Sequence, residues 1–410
     1  MNIKEKLRFI EQIQQQRDRE EKKIAPQAKI EEIIDGKLVE TELGASFVRT
    51  REYHVNDRHG TVQLRQIDEV LPYFLHLAGK DENLLQMDLR QSLFFDTETT
   101  GLAGGSGTYI FLTGLGYFEN DKFIIKQFFL QDFPDEAATL HAIHELLKQF
   151  KGIVSFNGKS FDWPLLQTRF IYHRIKCELP DSPHLDLLHA SRRIWKQRLN
   201  DCSLGNLEEK IIDVHRHNDI PSYLIPHIYF EYLRNKNAQP LKQVFYHNEI
   251  DILSLVSLTI MLNQIHKQPL EELDHQIDLN TLAKHYENTK QWERNIAIYQ
   301  SLLETEINQE IKTDISLRLC YCYKRLGQWG KAVALWEHLL TGGKFRLEPF
   351  EELAKYYEHH VHDYKKAEQI VLKALANLEI MEQIKFKSLP TDYRENFLHR
   401  LKRIQRKMGK

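Results

Sequence analysis

The segment Leu93-Phe94-Phe95-Asp96-Thr97-Glu98-Thr99-Thr100-Gly101-Leu102 runs from apolar residues into two acids and then into small residues. Three consecutive large apolar side chains predict a buried strand. Asp96 and Glu98 stand two apart near its end. Residues i and i+2 of a strand point to one face, so both carboxylates share a sheet face. Like charges there repel, and each raises the other's pKa unless a cation lies between them. Oxygen ligands suit a hard divalent ion such as Mg²⁺ or Mn²⁺. The apolar residues before the pair and the small ones after it exclude an ordinary solvated strand.

Two further segments carry chemistry. In the first, Ile153-Val154-Ser155-Phe156 predicts a second buried strand, followed by the turn Asn157-Gly158 and by Asp162 opening a helix. Taken alone, Asp162 could be an N-cap and Asn157 only a turn residue. In the second, Tyr246-His247-Asn248-Glu249-Ile250-Asp251 begins a helix whose apolar stripe is Ile252, Leu255, Leu258 and Leu262. His247 and Asp251 are i and i+4 and share a face. Tyr246 and Asp251 lie about 140° apart on an ideal helix, so the geometry favours His247 as the partner of Asp251.

Together these segments resemble the three motifs of the DnaQ-like, or DEDD, 3′–5′ exonucleases, which have an RNase H-like fold. Asp96 and Glu98 match the first motif, Asp162 the second and Asp251 the third. His247 or Tyr246 matches the residue that positions the attacking water. The resemblance spans about residues 88–265. Leu185-Asp186-Leu187-Leu188-His189, Arg192-Arg193-Ile194-Trp195, Cys202 to Glu208 and Asp219-Ile220-Pro221 look like the bacterial YprB-like branch, which also carries a C-terminal helical repeat domain. Two departures stand out. The spacings of His247 and Tyr246 from Asp251 are exchanged relative to the better-known subfamilies. Ser155-Phe156-Asn157 replaces a motif in which many members carry His before Asn.

The resemblance implies a two-metal phosphodiesterase acting on a DNA or RNA 3′ end. The metal set would be Asp96, Glu98, Asp162 and Asp251, binding two Mg²⁺ or Mn²⁺, with His247 orienting or deprotonating water. Thr97, Thr100, Asn157, Lys159, Arg192 and Arg193 are the expected nucleic-acid contacts. Arg192, Arg193, Lys196 and Arg198 surround Trp195, which could stack on a base or face the core. Gly101, Gly104, Gly105 and Gly107 leave room for a nucleic-acid backbone, but no Gly-Lys-Ser/Thr follows them as in a P-loop.

Around this centre the chain organises simply. Tyr109 to Phe118 and Phe123 to Leu130 predict a hairpin across Glu119-Asn120-Asp121-Lys122, and residues 135–150 a helix. The expected fold is α/β: a mixed sheet with flanking helices over residues 86–268. Before it, residues 1–85 form an extension. It holds an amphipathic helix marked by Ile3, Leu7, Ile10 and Ile13, then short strands at Phe47-Val48, Tyr53-His54-Val55 and Val62-Gln63-Leu64 with a turn at 56–60.

From about residue 279 no strands are predicted. Leu282-Ala283-x-x-Tyr286, Leu319-Cys320-x-x-Tyr323 and Leu353-Ala354-x-x-Tyr357 recur, the tyrosines 37 and 34 residues apart. A step near 34 with two helices per unit resembles the tetratricopeptide repeat, so residues 275–380 are expected to form an all-α repeat domain able to hold a protein partner. Residues 384–410 carry nine Lys or Arg against Asp392 and Glu395, as either a solvated helix or a nucleic-acid contact.

Composition agrees with a globular protein of more than one domain. The 410 residues are 42% hydrophobic and 10% aromatic, too apolar for a disordered chain. The net charge of −2 excludes a basic coat protein but leaves local patches open. No apolar run is long enough to span a membrane, and residues 1–6 lack a signal-peptide core. Cys177, Cys202, Cys320 and Cys322 make no Cys-x-x-Cys pair, which points to reduced thiols and a cytoplasmic location. Two other readings remain: a weakly catalytic nuclease fold that only binds nucleic acid, and a scaffold acting through its repeats.

Overall fold

The computed structural model describes residues 29–101, 107–176, 182–342, 346–383 and 392–409. The helix expected at residues 3–30 lies almost wholly outside them, as do Gly104, Gly105 and Cys177. The chain divides into two compact units. One comprises the described residues up to Arg192 with Asp201–Lys267; the other comprises Arg193–Asn200 and the chain from Gln268 onward.

The first unit is built on a seven-stranded mixed sheet. Its strands are β1 (Lys37–Thr41), β2 (Gly44–His54), β5 (Ser92–Thr99), β6 (Ile110–Glu119), β7 (Lys122–Phe129), β8 (Gly152–Ser155) and β9 (His184–Asp186), in the order β1-β2-β7-β6-β5-β8-β9. β3 (Arg58–His59) and β4 (Val62–Gln63) form a separate small hairpin. β5 pairs antiparallel with β6 and parallel with β8, so it is an interior strand beside the central β6. This is the mixed sheet expected from the sequence, with two differences. β1 and β2 are strands of the same sheet, because β2 pairs with β7 from Phe47 to His54. Phe47-Val48 and Tyr53-His54, expected as separate short strands, lie in one eleven-residue strand, whereas Val62-Gln63 is a short strand as expected, and the turn expected at 56–60 contains β3.

Helices cover both faces. On one, α2 (Glu136–Leu147) and α3 (Asp162–Tyr172) pack Leu140, Ile143, Leu166 and Phe170 against Leu93, Phe95 and Leu115. On the other, α5 (Ile225–Asn235) and α6 (Leu241–Lys267) pack Ile228, Tyr229, Val244 and Phe245 against Phe111 and Phe129. Phe111 stacks on Tyr229 at 4.1 Å between ring centroids. Burial of each such ring contributes about 1.5–3 kcal/mol. α1 (Pro72–Gly79) precedes β5, and α4 (Leu187–Leu199) follows β9 directly.

α6 lies close on the sheet because β6 offers glycines beneath it. A Cβ on Gly114 would sit 2.3 Å from Asn248 Oδ1, and one on Gly116 would sit 2.5 Å from Ile252 Cγ2. Asn248 and Ile252 are one helical turn apart, so two bare positions seat one face of α6.

The second unit contains three successive helix pairs: α7 (Gln276–Asn288) with α8 (Trp292–Glu304), α9 (Gln309–Arg325) with α10 (Trp329–Thr341), and α11 (Leu347–Tyr356) with α12 (Tyr364–Gln383). The recurring Leu282, Ala283, Tyr286, Leu319, Cys320, Tyr323, Leu353, Ala354 and Tyr357 are all buried. The basic segment is neither wholly solvated nor free. α13 (Asp392–Lys407) buries Phe397 and Ile404, and its Arg400, Arg403 and Lys407 pair with Glu358, whose side chain is 0% exposed. Among the described residues no helix is long and apolar enough to cross a membrane.

Candidate metal centre

Asp96 and Glu98 stand at the end of β5 on the side that faces α6. Asn248 of α6 donates to Asp96 Oδ2 at 2.8 Å, while its own carbonyl accepts from Gln127 Nε2 at 2.8 Å. Gln127 in β7 thus fixes the amide, and the amide fixes Asp96. One turn of α6 brings His247 and Asp251 together: His247 Nε2 lies 3.5 Å from Asp251 and 3.9 Å from Glu98. Ligand atoms of Glu98, His247 and Asp251 all fall within 4.8 Å of one another, a spacing able to hold a metal ion.

Asp162 comes to the same region from the other face. It is the first residue of α3 and accepts from the Thr97 hydroxyl. Thr97 lies between Asp96 and Glu98 and points the opposite way, so the strand alternation that groups the two acids also supplies the tether for the third. The loop before α3 is held by Asp186, which accepts from the backbone N–H groups of Asn157, Lys159 and Leu188 at 2.9, 3.3 and 3.0 Å. Asn157 takes a left-handed conformation there, with φ of 64°.

Burial sets the electrostatics. Removal from water, followed by the charges of Asp251 and Asp162, lifts the Asp96 carboxyl well above the usual range, against the Asn248 hydrogen bond. Glu98 is raised by burial and then by Asp96 and Asp251. Burial pushes Asp162 to about 6 although Thr97 favours its ionised form. For His247, burial works downward, but Asp251 and Asp219 outweigh it and raise the imidazole pKa. A hard dication fits this donor set: buried oxygen ligands that cannot all ionise alone, with one imidazole at their edge.

Residues 208–219 add a part that the sequence reading did not find. Arg216 is held at Nε and Nη2 by both oxygens of Glu208 at 2.5 and 2.6 Å. Its Nη1 donates to Asp219 at 2.9 Å, and Nη2 donates to Asp251. Asp219 also faces His247 Nδ1 at 2.9 Å and so orients the ring. A Glu–Arg–Asp chain across a loop has no sequence period; the stretches ending at Glu208 and beginning at Asp219 were marked, but Arg216 between them was not.

The other expected residues fall as follows. Tyr246 is half-buried, and no hydrogen bond joins it to the carboxylates among the described residues, whereas His247 faces them. Thr100 closes the base of the glycine loop, its hydroxyl accepting from the Tyr109 N–H at 3.0 Å. Lys159 Nζ lies 3.1 Å from Asp81. Arg192 is exposed on α4, and Arg193 belongs to the second unit. Trp195 is 1% exposed, so it is a core residue and offers no face for a base to stack on.

The RNase H superfamily model matches residues 93–263, which includes every acid of the cluster from Asp96 to Asp251. The sequence is also 33% identical over 348 residues to the uncharacterized protein YprB of Bacillus subtilis (strain 168), covering 82% of each chain.

Proposed function

The chain belongs to the RNase H superfamily, in one family with that Bacillus protein, and from this premise we propose that it is a divalent-metal-dependent 3′–5′ exonuclease. A nucleic-acid-processing role follows from the superfamily; the polarity and the metal dependence are our reading. One observation supports it: ligand atoms of Glu98, His247 and Asp251 lie within 4.8 Å of one another, and Asp96 and Asp162 are near enough that burial and neighbouring carboxylates raise the carboxyls of Asp96, Glu98 and Asp162. A cluster that cannot ionise alone is built to receive cations.

Asp96, Glu98, Asp162 and Asp251 would hold two Mg²⁺ or Mn²⁺ ions. When bound, such ions acidify water toward neutrality and stabilise charge on phosphate oxygens. The protein's own groups do the rest. His247, held at Nδ1 by Asp219, presents Nε2 to the carboxylate cluster, where it accepts or directs a proton of the attacking water. Asn248 keeps Asp96 at one rotamer, and Thr97 does the same for Asp162. Lys159 at the rim is a phosphate contact for the DNA or RNA strand. The helix pairs of the second unit are read as tetratricopeptide-like repeats that dock a protein partner. The buried thiols of Cys320 and Cys322, which form no disulfide, suit a cytoplasmic setting.

The test is Mn²⁺ calorimetry on the wild type and Asp96→Asn, with labelled single-stranded DNA and RNA oligomers added to the same samples. Metal binding weakened in the variant, and shortening seen with the wild type only, are expected. A wild type that binds no Mn²⁺ and leaves both oligomers intact overturns the proposal.

A further inference from the structure

Arg216 brings a fixed positive charge into the carboxylate cluster. Its side chain is only 12% exposed and it touches three acids and one imidazole. The contacts are not equivalent. Glu208, with a side chain 1% exposed, grips the guanidinium in two-point fashion from behind. Glu208 begins a π-helical turn (Glu208–Ile212), an irregularity that often marks functional positions in helices. The remaining donors point forward, Nη1 to Asp219 and Nη2 to Asp251 Oδ1. The other Asp251 oxygen, Oδ2, faces His247 at 3.5 Å. Both oxygens of the third-motif acid are therefore engaged by this protein's own groups.

We propose that Arg216 is an internal counter-ion that competes with the divalent metal for Asp251 and thereby sets the metal affinity of the site. The inference rests on the nuclease reading. A cation that coordinates Asp251 must take Oδ1 from the guanidinium or accept it as a near neighbour. Two positive charges at such range repel, and the low-dielectric surroundings enlarge the effect. Glu208 keeps Arg216 in place throughout, so the competitor is never lost to solvent. His59 on β3 also feels this charge: burial first, then Arg216, lowers its imidazole to about 4. The arrangement holds the metal-free cluster together, since Arg216 offsets charge that would otherwise repel across Asp251 and Asp219.

The experiment titrates Mn²⁺ into metal-free wild type, Arg216→Lys and the double variant Glu208→Gln/Arg216→Gln by calorimetry, with no nucleic acid present. The double variant removes both charges together, so Glu208 is not left as a buried unpaired carboxylate, while Asp251 and Asp219 lose the competitor. Tighter Mn²⁺ binding is expected, by at least about tenfold in the double variant. A smaller gain is expected in Arg216→Lys, whose ammonium cannot hold Glu208 and Asp251 at once. Should the double variant fail to fold, Arg216→Lys decides alone. Wild type that binds Mn²⁺, with variants that bind equally or more weakly, overturns the competition and leaves the nuclease reading standing. Absence of Mn²⁺ binding in wild type and variants alike overturns both. Binding that emerges only in the variants supports the competition.

Discussion

Asp162→Asn should make the metal-free protein more stable at alkaline pH. Asp162 is 8% exposed, and burial holds its carboxyl at about 6 where 3.8 is ordinary. Each pKa unit corresponds to about 1.4 kcal/mol, so ionising Asp162 in the folded state at pH 8 costs about 3 kcal/mol. Asn removes that charge and weakens the Thr97 hydrogen bond, a loss of about 1 kcal/mol. The net gain is about 2 kcal/mol, or about 4–8 °C in Tm for a unit of this size. The sign follows from linkage. A folded-state pKa above the unfolded one favours the protonated fold, so wild-type stability is fully present below 3.8 and is lost as pH rises through 6. The advantage of the variant should therefore shrink as pH falls through 6, vanish at about pH 4.5 and reverse below it, where only the weakened Thr97 hydrogen bond remains. Thermal unfolding in EDTA across that range measures it. Added Mn²⁺ should reverse the order, stabilising the wild type more than the variant. A variant less stable than wild type at pH 8, or displaced equally at every pH, refutes the reasoning.

Other consequences follow from the same contacts. Gly114→Ala places a Cβ 2.3 Å from Asn248 Oδ1, so it should displace the amide from Asp96, cost about 1–3 kcal/mol and weaken Mn²⁺ binding about tenfold or more. Adding Asn248→Ala should recover stability without recovering affinity, and unchanged affinity in Gly114→Ala alone would contradict the role of Asn248. Asp219→Asn removes a charge that raises His247, so the acid limb of the pH–rate profile should move to lower pH and kcat should fall about tenfold. A profile that does not move argues against His247 as the proton acceptor. Glu358→Gln leaves Arg400, Arg403 and Lys407 without their buried partner and should destabilise the second unit by about 3 kcal/mol, read as a lower Tm and faster proteolysis of α13. Equal stability would mean that the tail docks through Phe397 and Ile404 alone.

What could be read in the sequence was what local periodicity encodes. Alternation along Phe94 to Glu98 placed both acids on one side of β5, and the i, i+4 spacing placed His247 beside Asp251. The buried Leu–Ala–Tyr positions declared themselves by recurring in one phase. What stayed hidden depends on partners far apart in the chain. Arg216 meets Glu208 and Asp251 from a segment without helical or strand period, so its role exists only after folding. Asn248 lay within the third motif, yet its function needs Gly114 on β6 and Gln127 on β7. β9 is three residues long, too short for alternation to register. β1 and β2 read as an extension because strand pairing with β7 is a long-range fact. The charge of the C-terminal segment suggested solvent or nucleic acid, whereas three of its cations are spent on the single buried Glu358.

The most direct test of the central claim is the fate of 5′-labelled DNA and RNA oligomers incubated with the full chain and Mn²⁺. The account predicts stepwise loss of nucleotides from the 3′ end of at least one of them, stopped by EDTA and by Asp96→Asn. Shortening that persists in Asp96→Asn, or oligomers that stay intact with the metal-loaded wild type, would contradict it.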